Sequence, residues 1–369
     1  MSSSGLYIHV PFCRSKCPYC AFYSIASVSM IPQWVNGLKK EIALYKGLFN
    51  RFDTLYLGGG TPTSLDIEIL SDIMGHIRSG FDFTDDSEIT IEANPSDLTP
   101  EKIMALSHMG FNRISLGVQS FNDITLGFLG RTHLVRDVEK SLSYLAESDF
   151  ENIGMDLIYG FEGQSLEDWI ITLKKAITYV PRHLSCYQLT VEEKTPFFRL
   201  KEKGLFKPLG QRQEASFFLA TSQFLEDKGF VHYEVSSFAR DARFFSRHNR
   251  KYWQHTPYLG LGPSAHSFYK GRRWWNVKSV RRYCEALERD VQPVEGYEVL
   301  SDEDLALERI VLGLRTRSGV DRQSIPSSYQ SNRMLSQLCN SGFLVEDRGR
   351  IMPTRKGLMV ADYMAYSLG

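Results

Sequence analysis

The sequence predicts an α/β fold built on a parallel sheet or barrel, and three observations predict it. Short runs rich in β-branched and aromatic residues recur six times, amphipathic helix-length stretches separate them, and polar or glycine-rich residues bunch directly after each run. Repeated strand–helix units bring every strand's C-terminal end to one rim, so a site is expected at that mouth.

The strands are expected at Leu6–Val10, Thr54–Leu57, Glu88–Ala93, Arg113–Gly117, Gly154–Ile158 and Leu184–Leu189. Between them, helical periodicity marks Gln33–Phe49, Leu65–Ile77, Pro100–Met109, Val135–Ala146 and Leu166–Val180, with Thr99-Pro100 as an N-cap followed by proline at the first helical position. The rim loops are Phe12–Cys20, Gly58–Thr63, Asn94-Pro95, Gln119-Ser120 and Tyr159-Gly160. From about 190 to 285 the pattern is irregular, with an aromatic-rich stretch from Phe230 to Trp275 that includes Trp253, Trp274 and Trp275, and this region is expected to cover the mouth. Residues 301–369 read as a separate helical unit. Ser301-Asp-Glu-Asp304 opens its first helix, and Phe343–Met352 suggests a two-stranded wing turned at Arg348-Gly349, as in a winged helix. The expected division is 1–190, 191–295 and 296–369.

The chain has 369 residues, is 43% hydrophobic and balances 43 Lys+Arg against 43 Asp+Glu, which excludes disorder. Zero net charge also argues against nucleic acid as a partner, and the 9 basic and 8 acidic residues of 301–369 fall short of a phosphate-binding stripe. Met1-Ser-Ser-Ser-Gly5 has neither the regions of a secretory signal nor the pattern of a transit peptide. The uncharged stretch Cys17 to Leu38 contains Pro18, Pro32, Gln33 and Asn36 and does not read as a membrane span. Six cysteines are too few for a disulfide scaffold, and three within eight residues suggest a metal site in a reducing compartment, hence the cytoplasm.

Cys13-Arg-Ser-Lys-Cys17-Pro-Tyr-Cys20 places three thiols on one loop after the first strand. Thiolates select soft metals, which leaves zinc or an iron–sulfur cluster. A closed zinc site takes four ligands, and His9 would complete a Cys3His set unless it is a core histidine that orients its neighbours. A cluster of four irons usually takes four cysteines, so three leave one iron open to a substrate. Gly58-Gly-Gly-Thr-Pro62 lets backbone approach a ligand closely or simply makes a turn. Glu92 and Arg131 form a candidate pair for a carboxylate and an amine. Gln119 and Asp156, at strand ends, could hold a carboxylate or hydroxyls, or make buried structural hydrogen bonds.

The C-x3-C-x2-C spacing with an aromatic before the last cysteine resembles the radical S-adenosylmethionine (SAM) superfamily. In combination with Tyr7-Ile-His-Val-Pro-Phe-Cys13, Gly58–Thr63, Gly117–Phe121 and Asp156–Gly160, it resembles the HemN/HemW branch, which contains oxygen-independent coproporphyrinogen III oxidases and haem chaperones. The resemblance runs from Leu6 past Phe268 and, less specifically, through the C-terminal unit. It implies a six-stranded partial barrel of βα units and a 4Fe–4S cluster on Cys13, Cys17 and Cys20, in the loop 12–22. It also implies SAM at the open iron, cleaved to methionine and a 5′-deoxyadenosyl radical by an electron from a reduced flavodoxin- or ferredoxin-like donor. Carried over by position, Tyr7 would hydrogen-bond at the SAM–cluster site and Tyr19 would lie near the adenine. Gly59, Gly60, Thr61, Glu92, Gln119, Arg131 and Asp156 would contact SAM, with Gln188 a further candidate on the last strand.

Within that branch the oxidases continue the motif with a fourth cysteine, where this chain has Phe22, and carry a long N-terminal extension, whereas here the first cysteine is residue 13. His248-Asn-Arg-Lys-Tyr-Trp253 is similar to the haem-binding motif of the chaperones. His248 offers an imidazole to iron, with Tyr252 on the same face of a helix. Trp253 offers a flat ring to the macrocycle, and Arg247, Arg250 and Lys251 offer charge to its propionates. The resemblance therefore implies a haem chaperone that hands haem to a haem-requiring protein, with a membrane respiratory complex as the suggested acceptor. The alternatives are an oxidase that turns coproporphyrinogen III into protoporphyrinogen IX and a zinc-stabilised barrel without radical chemistry. Aromatics expected to be exposed around 252–275 suggest a haem-linked homodimer. Cys186, Cys284 and Cys339 are isolated and carry no assigned role.

Overall fold

The computed structural model describes residues 4–49 and 51–368, so Met1 to Ser3, part of the segment read for targeting signals, lie outside the described residues. Six parallel strands lie side by side in sequence order: β1 (Ser4–Val10), β2 (Phe52–Gly59), β3 (Phe83–Ala93), β4 (Arg113–Gln119), β5 (Asn152–Tyr159) and β6 (His183–Gln188). The connecting helices are α1 (Ile31–Leu44), α2 (Ile67–Gly80), α3 (Pro100–His108), α4 (Asp123–Phe128), α5 (Val135–Ala146) and α6 (Leu166–Thr178). The expected strands and helices are present with ends shifted by a few residues. Thr99 caps α3, its side chain accepting from Lys102 N at 3.2 Å. The short helix α4 was not anticipated; the Asn122 side chain caps it by accepting from Thr125 N at 3.0 Å.

Side chains alternate along these strands, and the two faces differ in kind. Leu6, Ile8, Val10, Leu55, Leu57, Ile91, Ile114, Leu116, Leu157 and Leu184 are buried on one face and form the main core with the helices. The opposite face carries Tyr7 and His9, Thr54 and Tyr56, Glu88, Thr90 and Glu92, Arg113 and Ser115, Asp156, His183 and Ser185. Parallel strands covered on both sides usually read as continuous apolar runs. Here half of the inward positions are polar, so the sheet supplies a lining of hydrogen-bonding groups.

Further strands extend the sheet. Beside β1 lie β9 (Tyr258–Leu261), β10 (His266–Tyr269), β11 (Arg272–Asn276) and β12 (Val294–Val299); beside β6 lie β8 (Ser237–Ala239) and β7 (Val231–Glu234). Strand β9 runs parallel to β1, and the other five pair antiparallel. The result is an open, mixed sheet of twelve strands and not a closed barrel, with the six βα strands at its middle. The flanking strands, three to six residues long, are too short for a clear period and fall in the stretch that reads as irregular.

That stretch also forms α7 (Pro196–Glu202), α8 (Gln211–Asp227), α9 (Arg247–Trp253) and α10 (Val280–Glu288). Helix α10 is held against α1 by the buried Glu41 carboxylate, which accepts from Tyr283 OH at 2.6 Å, Asn276 Nδ2 at 2.6 Å and Gly262 N at 2.8 Å. Burial pushes the Glu41 carboxyl up to about 7.

The C-terminal unit comprises α11 (Asp302–Gly313), β13 (Val320–Asp321), α12 (Tyr329–Asn340), β14 (Leu344–Asp347), β15 (Arg350–Pro353), α13 (Arg355–Met359) and α14 (Ala361–Leu368). It has its own core around Ile310, Leu314, Leu335, Ile351 and Met364. Ser301 and Asp304 cap α11 reciprocally, and the β14–β15 hairpin turns through Arg348 and Gly349, both left-handed at φ 49° and 77°. It joins the sheet through Val235 N donating to Arg315 O at 3.0 Å and Arg317 N donating to Tyr233 O at 2.9 Å. Among the described residues no helix is long and apolar enough to cross a membrane.

Candidate functional site

At the C-terminal ends of β1 and β2 two loops are stitched together: Gly60 N donates to Val10 O at 2.8 Å and Thr61 N to Phe12 O at 2.7 Å. A Cβ on Gly60 would lie 2.4 Å from Phe12 O, so only glycine permits this approach. Gly59 takes φ 106°, and a Cβ there would meet the His9 ring at 2.5 Å. The glycine run thus packs the loop that carries the cysteines.

Around a cavity of about 80 Å³ the structure gathers Cys13, Cys17, Cys20, Tyr19, Gly59, Gly60, Thr61 and Arg131. Thr61 Oγ1 donates to Cys13 Sγ at 3.6 Å, and Arg131 Nη1 donates to Cys17 Sγ at 3.4 Å. Burial raises the Cys20 thiol and the Tyr19 phenol above their usual ranges. Arg14 reaches from the cysteine loop to Asp97 at 2.8 Å, Asp97 accepts from Thr63 Oγ1 at 3.2 Å, and Thr63 Oγ1 accepts from Asn94 N at 3.1 Å. The cysteine, glycine and post-β3 loops are tied together by these bonds.

His9 is buried, with Nε2 2.8 Å from Tyr23 O and Nδ1 3.1 Å from Tyr7 OH, and burial pushes it down to about 4. Both ring nitrogens are engaged, so the Cys3His set weighed for zinc is not assembled. Among the described residues no fourth protein ligand stands beside the three thiols, which fits a cluster that leaves one iron open. Arg131 Nε is buried without a hydrogen-bond partner among the described residues, while Nη2 donates to Gly117 O at 3.4 Å. An orphaned guanidinium donor beside the cysteines fits an anionic ligand group.

The other expected SAM residues stand apart from that small cavity. The Glu92 carboxylate accepts from Tyr56 OH at 2.8 Å and Gly59 N at 3.1 Å, and burial pushes it up to about 7. It makes no ion pair with Arg131. Asp156 accepts from Ser115 Oγ at 3.0 Å. Gln119 ends β4 in a left-handed conformation at φ 65°, which is costly for a residue with a Cβ. Gln188 ends β6, close enough to Gly160 that a Cβ there would meet its Cγ at 3.0 Å. Tyr7 lies on the polar face 6.1 Å, ring to ring, from Tyr56.

The region from about 190 to 285, expected to cover the mouth, lies at both ends of the strands. Helix α9 packs at the N-terminal ends of β1 to β3, opposite the cysteine loop, and does not cover the mouth. Phe197, at the start of α7, is what reaches the loop, its N donating to Pro18 O at 3.1 Å. The Glu88 carboxylate caps α9 by accepting from Arg247 N and His248 N, both at 3.0 Å. His248 is buried, with Nδ1 2.9 Å from Thr54 Oγ1, Nε2 2.9 Å from Tyr252 OH, and its ring stacked on Tyr56 at 5.1 Å. Burial, helped by Lys251 and Arg113, pushes it down to about 3. The helical spacing does place His248 and Tyr252 on one face, but the imidazole expected to be open to iron is enclosed with both nitrogens engaged. Arg247 pairs with Asp86 at 3.3 Å and Asp53 at 3.5 Å, and Lys251 with Asp53 at 2.6 Å. Arg250 and Trp253 face the other way, toward the C-terminal unit. The aromatics of 252–275 are buried or half-buried, so the exposed surface expected for a homodimer is not formed by them.

Tyr56, Glu88, Thr63, Asp97 and the buried Arg113 were not singled out by sequence. The alternation Thr54, Tyr56, Gly58 and Glu88, Thr90, Glu92 was the available signal for those on strands.

Residues 7–176 match the radical SAM superfamily and residues 300–360 match the HemN C-terminal domain. The chain is 34% identical to the heme chaperone HemW of Bacillus subtilis over 96% of each chain. It is 33% identical to HemW of Synechocystis over 95% of this chain and 89% of that one. Among solved structures, coproporphyrinogen III oxidase (HemN) from Escherichia coli, a radical SAM enzyme, superposes with a TM-score of 0.85 at 24% identity, covering 99% of this chain and 90% of that one. The likeness to that structure establishes the shared fold.

Proposed function

Because the chain belongs to the HemW family of the radical SAM superfamily, we propose that it is a haem chaperone that binds haem, carries a 4Fe–4S cluster with SAM, and delivers haem to haem-dependent proteins. The observation that carries this reading is the full-length likeness to proteins named heme chaperone, from the cysteine loop through the C-terminal unit.

Cys13, Cys17 and Cys20 hold the cluster. Bound there, the cluster and SAM would supply one-electron chemistry at the sulfonium. Arg131 offers its unpartnered Nε to the SAM carboxylate, and Gly59, Gly60 and Thr61 bring backbone to the methionine end. Tyr7, Tyr19, Glu92, Gln119, Asp156 and Gln188 line the rest of the SAM site along the polar face and rim. Glu92, raised toward neutrality, holds or releases a proton there near pH 7. Haem is cargo and meets the protein at the segment carrying His248, Tyr252 and Trp253. The working division is a six-stranded βα half-barrel within 1–190, a flanking region 191–295 and a winged-helix-like unit 296–369. The protein works in the cytoplasm, with a reduced flavodoxin- or ferredoxin-like donor and a haem-requiring acceptor.

The test is an anaerobic titration of cluster-reconstituted protein with haem, followed at the Soret band, beside an incubation with coproporphyrinogen III, SAM and a reductant. One haem bound per chain without porphyrin turnover is expected. Formation of protoporphyrinogen IX would replace this reading with the oxidase.

A further inference from the structure

Positive charge collects beside the cysteine loop. From Pro11 to Leu38 the only charged side chains are Arg14 and Lys16, both exposed and both bordering the cavity that the three cysteines line. Arg14 is paired with Asp97, whereas Lys16 makes no ion pair among the described residues. Phe22, two residues past Cys20, is 67% exposed, and the three cysteines are only half-buried, so the loop stands close to the surface.

A second segment is locked onto this loop. Phe197 N, at the start of α7, donates to the carbonyl of Pro18, which lies between Cys17 and Cys20. Phe197 and Phe206 pack with Phe128 and Tyr19 in a small apolar cluster separate from the main core, the Phe197 and Phe206 rings 5.2 Å apart. With its apolar side buried there, the segment turns its charges outward. Lys194, Arg199, Lys201, Lys203 and Lys207 are exposed against the exposed acids Glu192, Glu193 and Glu202, and among the described residues none of the five cations makes an ion pair. Leu200 and Leu205 are exposed between them. The chain as a whole is neutral, so this surplus is a matter of placement and not of bulk composition.

Unpaired cations interspersed with exposed apolar side chains, one hydrogen bond from the cysteine loop, match a negatively charged protein that binds briefly. Electron-transfer complexes are of that kind, with small interfaces and association steered by charge. Tunnelling falls off steeply with distance, so a one-electron carrier has to dock where the cysteines come nearest to solvent.

We propose, resting on the reading that Cys13, Cys17 and Cys20 hold a one-electron cluster, that Lys16 and the exposed cations of 194–207 form the docking surface for a small acidic electron-carrier protein, with Phe22 as an apolar contact. The carrier gives up one electron and the cluster takes it; no bond or proton moves. Helix α7 thereby has a task apart from SAM and cargo, which is to hold the carrier against the Cys17–Cys20 side of the loop.

The test titrates full-length, cluster-reconstituted protein with an oxidised flavodoxin, a small acidic flavoprotein, and reads Kd by calorimetry at about 50 mM and about 300 mM salt. Lys201→Glu combined with Lys203→Glu reverses two charges of the segment, and Lys16→Glu reverses one on the loop. Lys46→Glu, beyond the end of α1 and at the opposite ends of the strands, is the control. Unchanged cluster absorbance and urea midpoint verify folding. The expected result at low salt is a Kd raised about tenfold or more in the double variant and about threefold in Lys16→Glu, with Lys46→Glu within about twofold of the parent, and differences that shrink at high salt. If the parent binds and all variants match it within about twofold, the docking surface is overturned while the cluster reading stands. A parent that binds no flavodoxin, although dithionite still reduces its cluster, overturns the proposal in the same way. If no cluster assembles, the underlying reading fails and the proposal with it.

Discussion

His248 and Thr54, 194 residues apart in sequence, meet at 2.9 Å between Nδ1 and Oγ1, and this contact fixes α9 to the second strand of the sheet. The other ring nitrogen is 2.9 Å from Tyr252 OH, so the imidazole bridges strand and helix. Replacing it with alanine removes both bonds and leaves a void over Tyr56. We expect His248→Ala to destabilise the chain by about 2–3 kcal/mol while the cluster, at the opposite strand ends, keeps its absorbance. Urea unfolding monitored beside the visible spectrum checks this; unchanged stability would mean that the bridge contributes nothing.

Cys13, Cys17 and Cys20 surround one cavity, whereas Cys186 and Cys284 are buried in the core and Cys339 lies in the C-terminal unit. Alanine at any of the first three is expected to abolish or strongly reduce iron and sulfide content after reconstitution. Alanine at Cys186, Cys284 or Cys339 should leave it intact. Iron and sulfide analysis decides.

Gly60→Ala is expected to disturb the cysteine loop, because the added methyl would stand 2.4 Å from Phe12 O and 2.8 Å from Val10 O, both backbone atoms. Overpacking of this kind costs about 1–3 kcal/mol. The variant should show a lower urea midpoint and reduced cluster loading; full loading at parental stability would show that the loops can part without cost.

Arg131→Ala removes the buried, unpartnered Nε while leaving all three cysteines in place. A charge-assisted hydrogen bond contributes about 1.5–3 kcal/mol, so SAM binding should weaken about tenfold or more with the cluster still assembled. Equilibrium binding of SAM to reconstituted protein reads the effect, and unaltered affinity would remove Arg131 from the SAM site.

Glu41 gives a pH dependence with a definite sign. Its folded carboxyl is raised by burial from the usual 4.5 to about 7, so the folded state binds the extra proton in that window. Its contribution to stability is fully present below the unfolded value and is lost as pH rises through about 7. Glu41→Gln cannot titrate, and the buried histidines common to both proteins cancel in the comparison. Stability of the variant relative to the parent should therefore rise by about 2–3 kcal/mol between about pH 5 and about pH 8. A constant difference would place the carboxyl at its ordinary value.

The six βα strands were legible because each carries enough β-branched and apolar residues to outweigh its polar positions. Their polar alternation was equally visible, in Thr54-Leu-Tyr56 or Glu88-Ile-Thr90-Ile-Glu92, and marks the lining that holds Tyr56 and Glu92. The flanking strands were not legible, since four residues such as His266–Tyr269 show no period alone and become a strand by pairing with neighbours. The cysteine spacing singled out the loop that the structure places beside Arg131 and the glycine run. The orientation of α9 was not plain, because Glu88 and Thr54, the groups that decide which face turns inward, lie some 160 to 194 residues away in sequence.

The central claim is that this chain hands haem on. The most direct measurement mixes haem-loaded protein with increasing concentrations of a haem-free acceptor and records the transfer rate against that of spontaneous release to a haem trap. The account predicts a rate that rises with acceptor concentration above the release rate, as handover within a complex requires. A rate that never exceeds spontaneous release, whatever the acceptor concentration, would contradict it.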